Sequence, residues 1–140
     1  MSVYLDASVL VALFSTDTFT TAADRAFRGR TLAVVVSDFA AAEFASVIAR
    51  RFRNKELTKS DAVAAFAAFD GWHARAPARV EVFSADVRAA SVSVRQLTAN
   101  LRAPDAIHLA IARRVGAELA TFDSKMASAA AASGIKIFPL

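Results

Sequence analysis

The chain has 140 residues, 17 Lys plus Arg against 13 Asp plus Glu, and 56% hydrophobic residues, which suits one domain with a sizeable core and excludes a two-domain enzyme. A charged fraction of 21% and a mean hydropathy of +0.39 exclude a disordered chain. With no cysteine, disulfides, thiolate metal sites and cysteine nucleophiles are excluded, and any metal must be held by oxygen or imidazole.

Short β-branched runs alternate with alanine-rich segments of helical spacing, the pattern of βα units around a mostly parallel sheet, so the fold class is α/β. Strands are expected at 3–5, 33–36, 79–83, 118–122 and 135–138. Helices are expected at 8–14, 18–28, 38–53, 60–74, 85–100, 104–115 and 124–133. Thr58 with Asp61 forms a capping box, and Pro104 suits a first helical turn. Gly29, Gly116 and Gly134 stand just past helices, where a left-handed residue is wanted. No repeat, linker or charge block divides the chain, and one domain, 1–140, is expected. The apolar stretches are too short for a membrane span and Asp6 breaks up the first, so a cytoplasmic protein with no membrane partner is expected.

Several chemistries lack their residues. The four glycines form no phosphate cradle, so no nucleotide cofactor is expected. His73 and His108 are the only histidines, and no nucleophile elbow is present. An aspartyl-phosphate mechanism would want a second acid two residues after Asp6, where Ser8 stands.

Four carboxylates stand where a charge should be costly. Asp6 lies between apolar runs at the end of the first strand, where an open α/β sheet binds ligands; capping the next helix would explain it equally well. Glu43 shares a helical row with Phe39 and Val47, so a metal, an arginine such as Arg50 or a raised pKa should accompany it. Asp105 opens a helix after Pro104, where the helix dipole alone would account for it, and His108 one turn on is a core-edge histidine or its hydrogen-bond partner. Asp123 ends the fourth strand as Asp6 ends the first, and Ser8, Thr121 and Ser124 could orient these acids or cap helices. Several acids converging without Cys form an oxygen-rich site for Mg²⁺, or Mn²⁺, of the kind that does phosphoryl chemistry. The pI near 10.1 and the clusters Arg50, Arg51, Arg53 and Arg113, Arg114 suit phosphate, or mark helix C-termini.

In Tyr4-Leu5-Asp6-Ala7-Ser8, in Ser37-Asp38-Phe39 through Glu43, in Pro104-Asp105-Ala106-Ile107-His108 and in Leu119-Ala120-Thr121-Phe122-Asp123, the chain resembles the PIN-domain ribonucleases, and among them the VapC-type toxins. The resemblance places the family's four acids on Asp6, Glu43, Asp105 and Asp123. It implies a central parallel sheet of about five strands with helices on both faces. It further implies Mg²⁺-dependent endonucleolytic cleavage of RNA by a metal-activated water, a homodimer, and inhibition by a VapB-type antitoxin. The metal would be held by Asp6, Glu43 and Asp105, with Asp123 completing the set, and Arg50, Arg51, Arg53 and Arg113 would hold the RNA backbone. The rival from another class is a PIN-like module that binds RNA or protein and does not cut. A nuclease of RNase-H-like topology is disfavoured because the first strand runs straight into a helix.

Overall fold

The computed structural model describes residues 1–75, 77–98 and 100–140. Its elements alternate as the sequence predicts: β1 (Ser2–Leu5), α1 (Ala7–Phe14), α2 (Thr20–Phe27), β2 (Ala33–Ser37), α3 (Asp38–Arg53), α4 (Lys59–His73), β3 (Ala78–Val80), α5 (Ser84–Arg95), α6 (Ala103–Val115), β4 (Glu118–Ala120) and α7 (Ser124–Ala132). All the strand pairings are parallel and the order is β3-β2-β1-β4. The chain winds outward from β1 through β2 to β3, then returns to the other side of β1 as β4. The point where the order reverses therefore lies between β1 and β4, and ligands of such sheets bind outside the carboxyl ends of the strands there.

The sheet is covered on both faces, and the period-2 alternation of its strands assigns each residue to a face. Val3 and Leu5 of β1, Val36 of β2 and Ala120 of β4 pack with Val9, Phe44, Ile48 and Phe69 of α1, α3 and α4. Tyr4, Val35 and Leu119, which are register partners, point the other way and pack with Leu109, Ile111 and Met126 of α6 and α7.

Local chemistry fixes the helix ends. Ser37 caps α3 by accepting from the Ala40 amide at 3.0 Å, and Thr58 and Asp61 form the expected capping box on α4. Gly116 ends α6 at φ 67°, where a side chain would be strained. Helix α5, expected to reach residue 100, ends at Arg95, with Leu97 at φ 58°; Ala99 lies outside the described residues.

The expected fifth strand is a correction: 135–138 makes only a bridge at Ile137 to Leu119, flanked by backbone bonds from Leu119 to Lys136 and from Phe138 to Leu119. The expected strand 118–122 is likewise cut short at Ala120. Both have one cause, since Thr121 leaves the ladder to hydrogen-bond Asp6 and little of β4 remains to pair.

Helices α5 and α6 are clasped by a buried ion pair. Arg114 donates from Nε and Nη2 to the two oxygens of Asp86 at 2.8 and 2.9 Å, and its guanidinium lies 4.2 Å from the centre of the Phe83 ring. The Arg114 hydrogen bonds hold the Asp86 carboxyl below its ordinary pKa against the opposing effect of burial. A lowered folded pKa means stability that is present above the unfolded value and lost as pH falls through the folded one. Arg114→Ala, which strands a carboxylate that is only 3% exposed, should cost about 3 kcal/mol at pH 7. Thermal denaturation against pH should show the gap to wild type closing below about pH 4, where Asp86 can protonate; a gap independent of pH would assign the loss to packing on Phe83.

Candidate active site

The carboxyl ends of β1, β2 and β4 meet three helix starts, and the residues at those junctions are polar. Asp6, Ser37 and Asp123 each stand at the N-cap of the following helix. Capping and convergence are therefore not alternatives here: the turn that makes Asp6 and Asp123 caps also delivers them to one edge.

Asp6 is 2% exposed and both of its oxygens are engaged. Oδ1 accepts from Ser8 Oγ at 2.6 Å and from the Val9 amide at 3.1 Å, and Oδ2 accepts from Thr121 Oγ1 at 2.6 Å. Each hydroxyl also accepts, Ser8 from the Phe122 amide at 2.9 Å and Thr121 from the Asp123 amide at 3.0 Å. The segment 121–123 is thus strapped to the Asp6 carboxyl through the hydroxyls of Ser8 and Thr121, the first two of the three residues considered above for orienting the acids. Ser124, the third residue so expected, opens α7 and has no such bond among the described residues. Burial pushes the Asp6 pKa up, with the bonds from Ser8, Thr121 and Val9 and the nearby His108 acting against it.

Glu43 does not sit in the core row. That row is Ala40, Phe44 and Ile48, while Glu43, whose side chain is 30% exposed, lies beside it with Phe39 and Val47. Its partner is neither Arg50 nor, among the described residues, any other arginine: Oε2 lies 2.5 Å from Nε2 of His108, a residue only 1% exposed. The other ring nitrogen, Nδ1, is 2.7 Å from the Tyr4 hydroxyl, which is 2.7 Å from Ser37 Oγ. His108 therefore bonds to Glu43 and Tyr4 and not to Asp105, the neighbour one turn away. The proton order in this chain is forced when Glu43 is ionised and the imidazole neutral. The carboxylate only accepts, so Nε2 carries the proton; Nδ1 then accepts from Tyr4, which accepts from Ser37. Phe39 packs on the same imidazole at 4.9 Å between ring centres, fixing its plane.

Asp105 is 8% exposed; its Oδ2 accepts from the Arg102 amide at 3.3 Å and lies 3.7 Å from Arg102 Nε. Asp123 Oδ1 accepts from the amides of Lys125 and Met126. Glu43 Oε1, Asp105 Oδ1 and Asp123 Oδ2 are left without a protein donor among the described residues. Among these residues no three acid or imidazole side chains close on one point as a ready-made ion cage, since Glu43 is turned onto His108 and Asp123 onto α7. The donor chemistry still fits a hard divalent cation: carboxylate oxygens only, three of them open, beside a desolvated carboxyl whose charge a cation would favour.

The arginines expected to grip RNA lie elsewhere. Helices α3 and α6 start at the acid edge and run away from it, which puts Arg50 about 10 Å beyond Glu43 and Arg113 about 12 Å beyond Asp105 along the helix axes. Arg113 donates to the Ser133 carbonyl, and Arg51 is paired with Asp17. Cations near the acids are Arg102, 79% exposed at its side chain, Lys125, and Arg79, which is paired with Asp38 at the start of α3. Sequence reasoning missed Arg102 and Lys125 by looking for clusters, although each stands within three residues of a candidate acid.

The family model of the PIN domain matches residues 3–132. Among solved structures, the chain is similar to Mycobacterium tuberculosis VapC20, described as a sarcin-ricin loop cleaving toxin, at 23% identity and TM-score 0.74 over 91% of this chain and 95% of that one. It is also similar to FitAcB from Neisseria gonorrhoeae (16%, TM-score 0.66, 97% and 96% covered) and to VapBC2 from Rickettsia felis, bound there to a fragment of promoter DNA (13%, TM-score 0.62, 91% and 92%). A comparison with curated proteins gave no significant match.

The raised Asp6 pKa gives a signed expectation. The folded state binds its proton more tightly than the unfolded chain, whose Asp titrates near 3.9, so stability falls as pH rises from about 4 through the folded value. In EDTA, Asp6→Asn should melt above wild type at neutral pH, and the difference should shrink toward pH 4. A lower melting point at neutral pH would show that the charged form is held more firmly by its three donors than burial disfavours it.

Proposed function

Because the chain belongs to the PIN domain family, we propose that it is a metal-dependent endoribonuclease, the toxin of a VapBC-type toxin–antitoxin pair, that hydrolyses RNA phosphodiester bonds. The observation that carries this reading is the Asp6 carboxyl, buried and fully propped at the switch point of the sheet and facing an edge where Glu43, Asp105 and Asp123 each keep an open oxygen. The similarity to VapC20 and to the Rickettsia felis VapBC2 structure supports the same class, and with it a small antitoxin partner.

Mg²⁺, or Mn²⁺, would be held by Asp6, Glu43 and Asp105, with Asp123 joining them, and would supply charge for the phosphate oxygens and acidify a water. The chain's own part is orientation. Ser8 and Thr121 fix the rotamer of Asp6, so its oxygens need no reorganisation when the site is filled. His108, locked by Tyr4 and Phe39, sets Glu43 with Oε1 outward. Arg102, which lies 3.7 Å from Asp105, and the exposed Lys125 two residues after Asp123 would meet phosphates of the RNA. A homodimer and a cytoplasmic site of action are part of the proposal; among the described residues no helix is long and apolar enough to cross a membrane.

The rival module that binds without cutting draws support from one observation, the lack of a closed ion cage among the described residues. Cleavage of a cellular RNA pool by purified protein, with Mg²⁺ or with EDTA, decides between them. Wild type should cut only with the metal, and Asp6→Asn and Glu43→Gln should lose on the order of 10²-fold or more in rate while staying folded. Mg²⁺ at about 100 times its Kd should add about 2.7 kcal/mol to wild-type stability and little to Asp6→Asn. Metal-independent cleavage, or none from folded, antitoxin-free protein, would overturn the reading.

A further inference from the structure

Phe19 is 44% exposed, whereas Tyr4 near the acids is buried and Phe39 and Phe122 are half-buried. Its ring lies parallel to that of Phe122, with 4.5 Å between centres and 11° between planes. One face of Phe19 is thereby closed, so its exposure belongs to the opposite face and the rim. We propose that the outer face of Phe19, backed by Phe122, is a stacking platform for an unpaired base of the RNA. The proposal rests on the nuclease reading for the identity of the ligand and adds to it where the substrate is gripped.

The platform is tied to the acids by short links. Phe122 immediately precedes Asp123, and its amide donates to Ser8 Oγ, which donates to Asp6 Oδ1. A base on Phe19 is thus held at a fixed offset from the Asp6 carboxyl. The turn carrying the ring is also built to stay put. Phe19 N donates to Asp17 Oδ1 at 2.8 Å, Asp17 N donates to Thr20 Oγ1 at 2.9 Å, and Thr20 Oγ1 donates to the Ser15 carbonyl at 3.1 Å. Arg51 reaches across from α3 to Asp17 Oδ2 and the Thr16 carbonyl. This is the work that Arg51 does in place of the RNA contact expected of it. Little freedom remains for the ring to lose on binding.

The chemistry of the surroundings selects the occupant. Thr16, Thr18 and Thr21, the polar neighbours of Phe19 in sequence, are all exposed, and the ring itself offers one flat face, too small for a protein interface. A nucleobase needs no more than one flat face, and single-stranded RNA is gripped in this way by aromatic rings. Phe offers no hydrogen bond to a base edge, so the platform selects for an unpaired base and not for its identity. Lys125, exposed in the first turn of α7, supplies charge for the adjoining phosphate. The other exposed phenylalanines do not fit: Phe83 lies under the Arg114 guanidinium, and Phe52 is at the far end of α3. Tyr4 is buried and Trp72 packs on Phe14.

The test uses the full chain carrying Asp6→Asn, so that RNA is bound and not cut, with a single-stranded oligoribonucleotide of roughly a dozen nucleotides and 2-aminopurine placed at each position in turn. One position should show quenching by stacking. Adding Phe19→Ala should abolish that quenching and weaken binding roughly five- to hundredfold, whereas Phe19→Trp should keep both. Phe19→Leu, which keeps apolar contact with Phe122 but has no flat face, should behave as Phe19→Ala and serves as the check if the smaller side chain disturbs the turn. An abasic nucleotide at the quenched position should erase the difference between the Phe19→Ala protein and its parent. Equal affinity of Phe19→Ala and Phe19→Leu with the parent overturns the platform, as does a loss that the abasic site leaves unchanged. A Phe19→Ala defect confined to binding of the antitoxin likewise overturns it, giving the ring to a protein partner. Acid-dependent cleavage with no role for Phe19 sinks only the platform; base stacking on Phe19 without cleavage by the Asp6 protein sinks only the nuclease.

Discussion

The Asp6 carboxyl is drawn out of water at the end of β1, and its charge is tolerable only because three donors converge on it. Two of them, Ser8 and Thr121, come from different βα units, so satisfying Asp6 forces β1 and β4 into one register and bends the chain after Ala120 back toward the edge. The shortness of β4, the reduction of 135–138 to a bridge and the placing of Phe122 and Asp123 follow from that one requirement. Aliphatic residues in place of Asp6 and Thr121 would avoid the desolvation cost and lose only the α1 cap and the strap to 121–123. The retained cost marks the group as kept for something other than stability.

A second chain of contacts crosses the edge of the sheet. Ser37 at the end of β2, Tyr4 in β1, His108 in α6 and Glu43 in α3 are joined by hydrogen bonds that link the two helical layers by way of Tyr4, a member of the core under α6 and α7. Removing any one member would strand a buried polar atom on each neighbour, so this chain stiffens the edge as a unit. It also explains how Glu43, on a helix of one layer, comes to serve a site opened by a helix of the other.

Much of this was legible in the sequence. Alternation of strand and helix signals made the architecture readable because β1, β2 and β4 are apolar and largely buried and because α1, α3, α4 and α7 begin at side-chain caps. The acids stood out because a carboxylate at the end of an apolar run is costly wherever the run goes. What could not be read was pairing across long separations. Glu43 and His108 are 65 positions apart, and nothing local distinguishes His108 from the core-edge histidine it resembles. Nothing in the sequence marks Phe19 as an exposed ring near the acids, because its place depends on a turn anchored by Arg51, 34 positions from Asp17.

The distribution of charge bears on how a substrate can be held. Arginines gather at the C-termini of α3 and α6 and acids at the helix starts, which is what helix dipoles favour in any protein. Along the sequence the clusters look like a grip for phosphate; on the fold, Arg50 and Arg113 stand well along their helices from the acids, and Arg51 and Arg114 are taken up by Asp17 and Asp86. An excess of four positive charges still draws a polyanion toward the molecule from a distance. Close to the acid edge that attraction gives way to the repulsion of four carboxylates, offset locally by Arg102 and Lys125. A divalent cation held by the acids would reduce that repulsion, and under the proposal made above the flat face of Phe19 would add a contact that does not depend on charge.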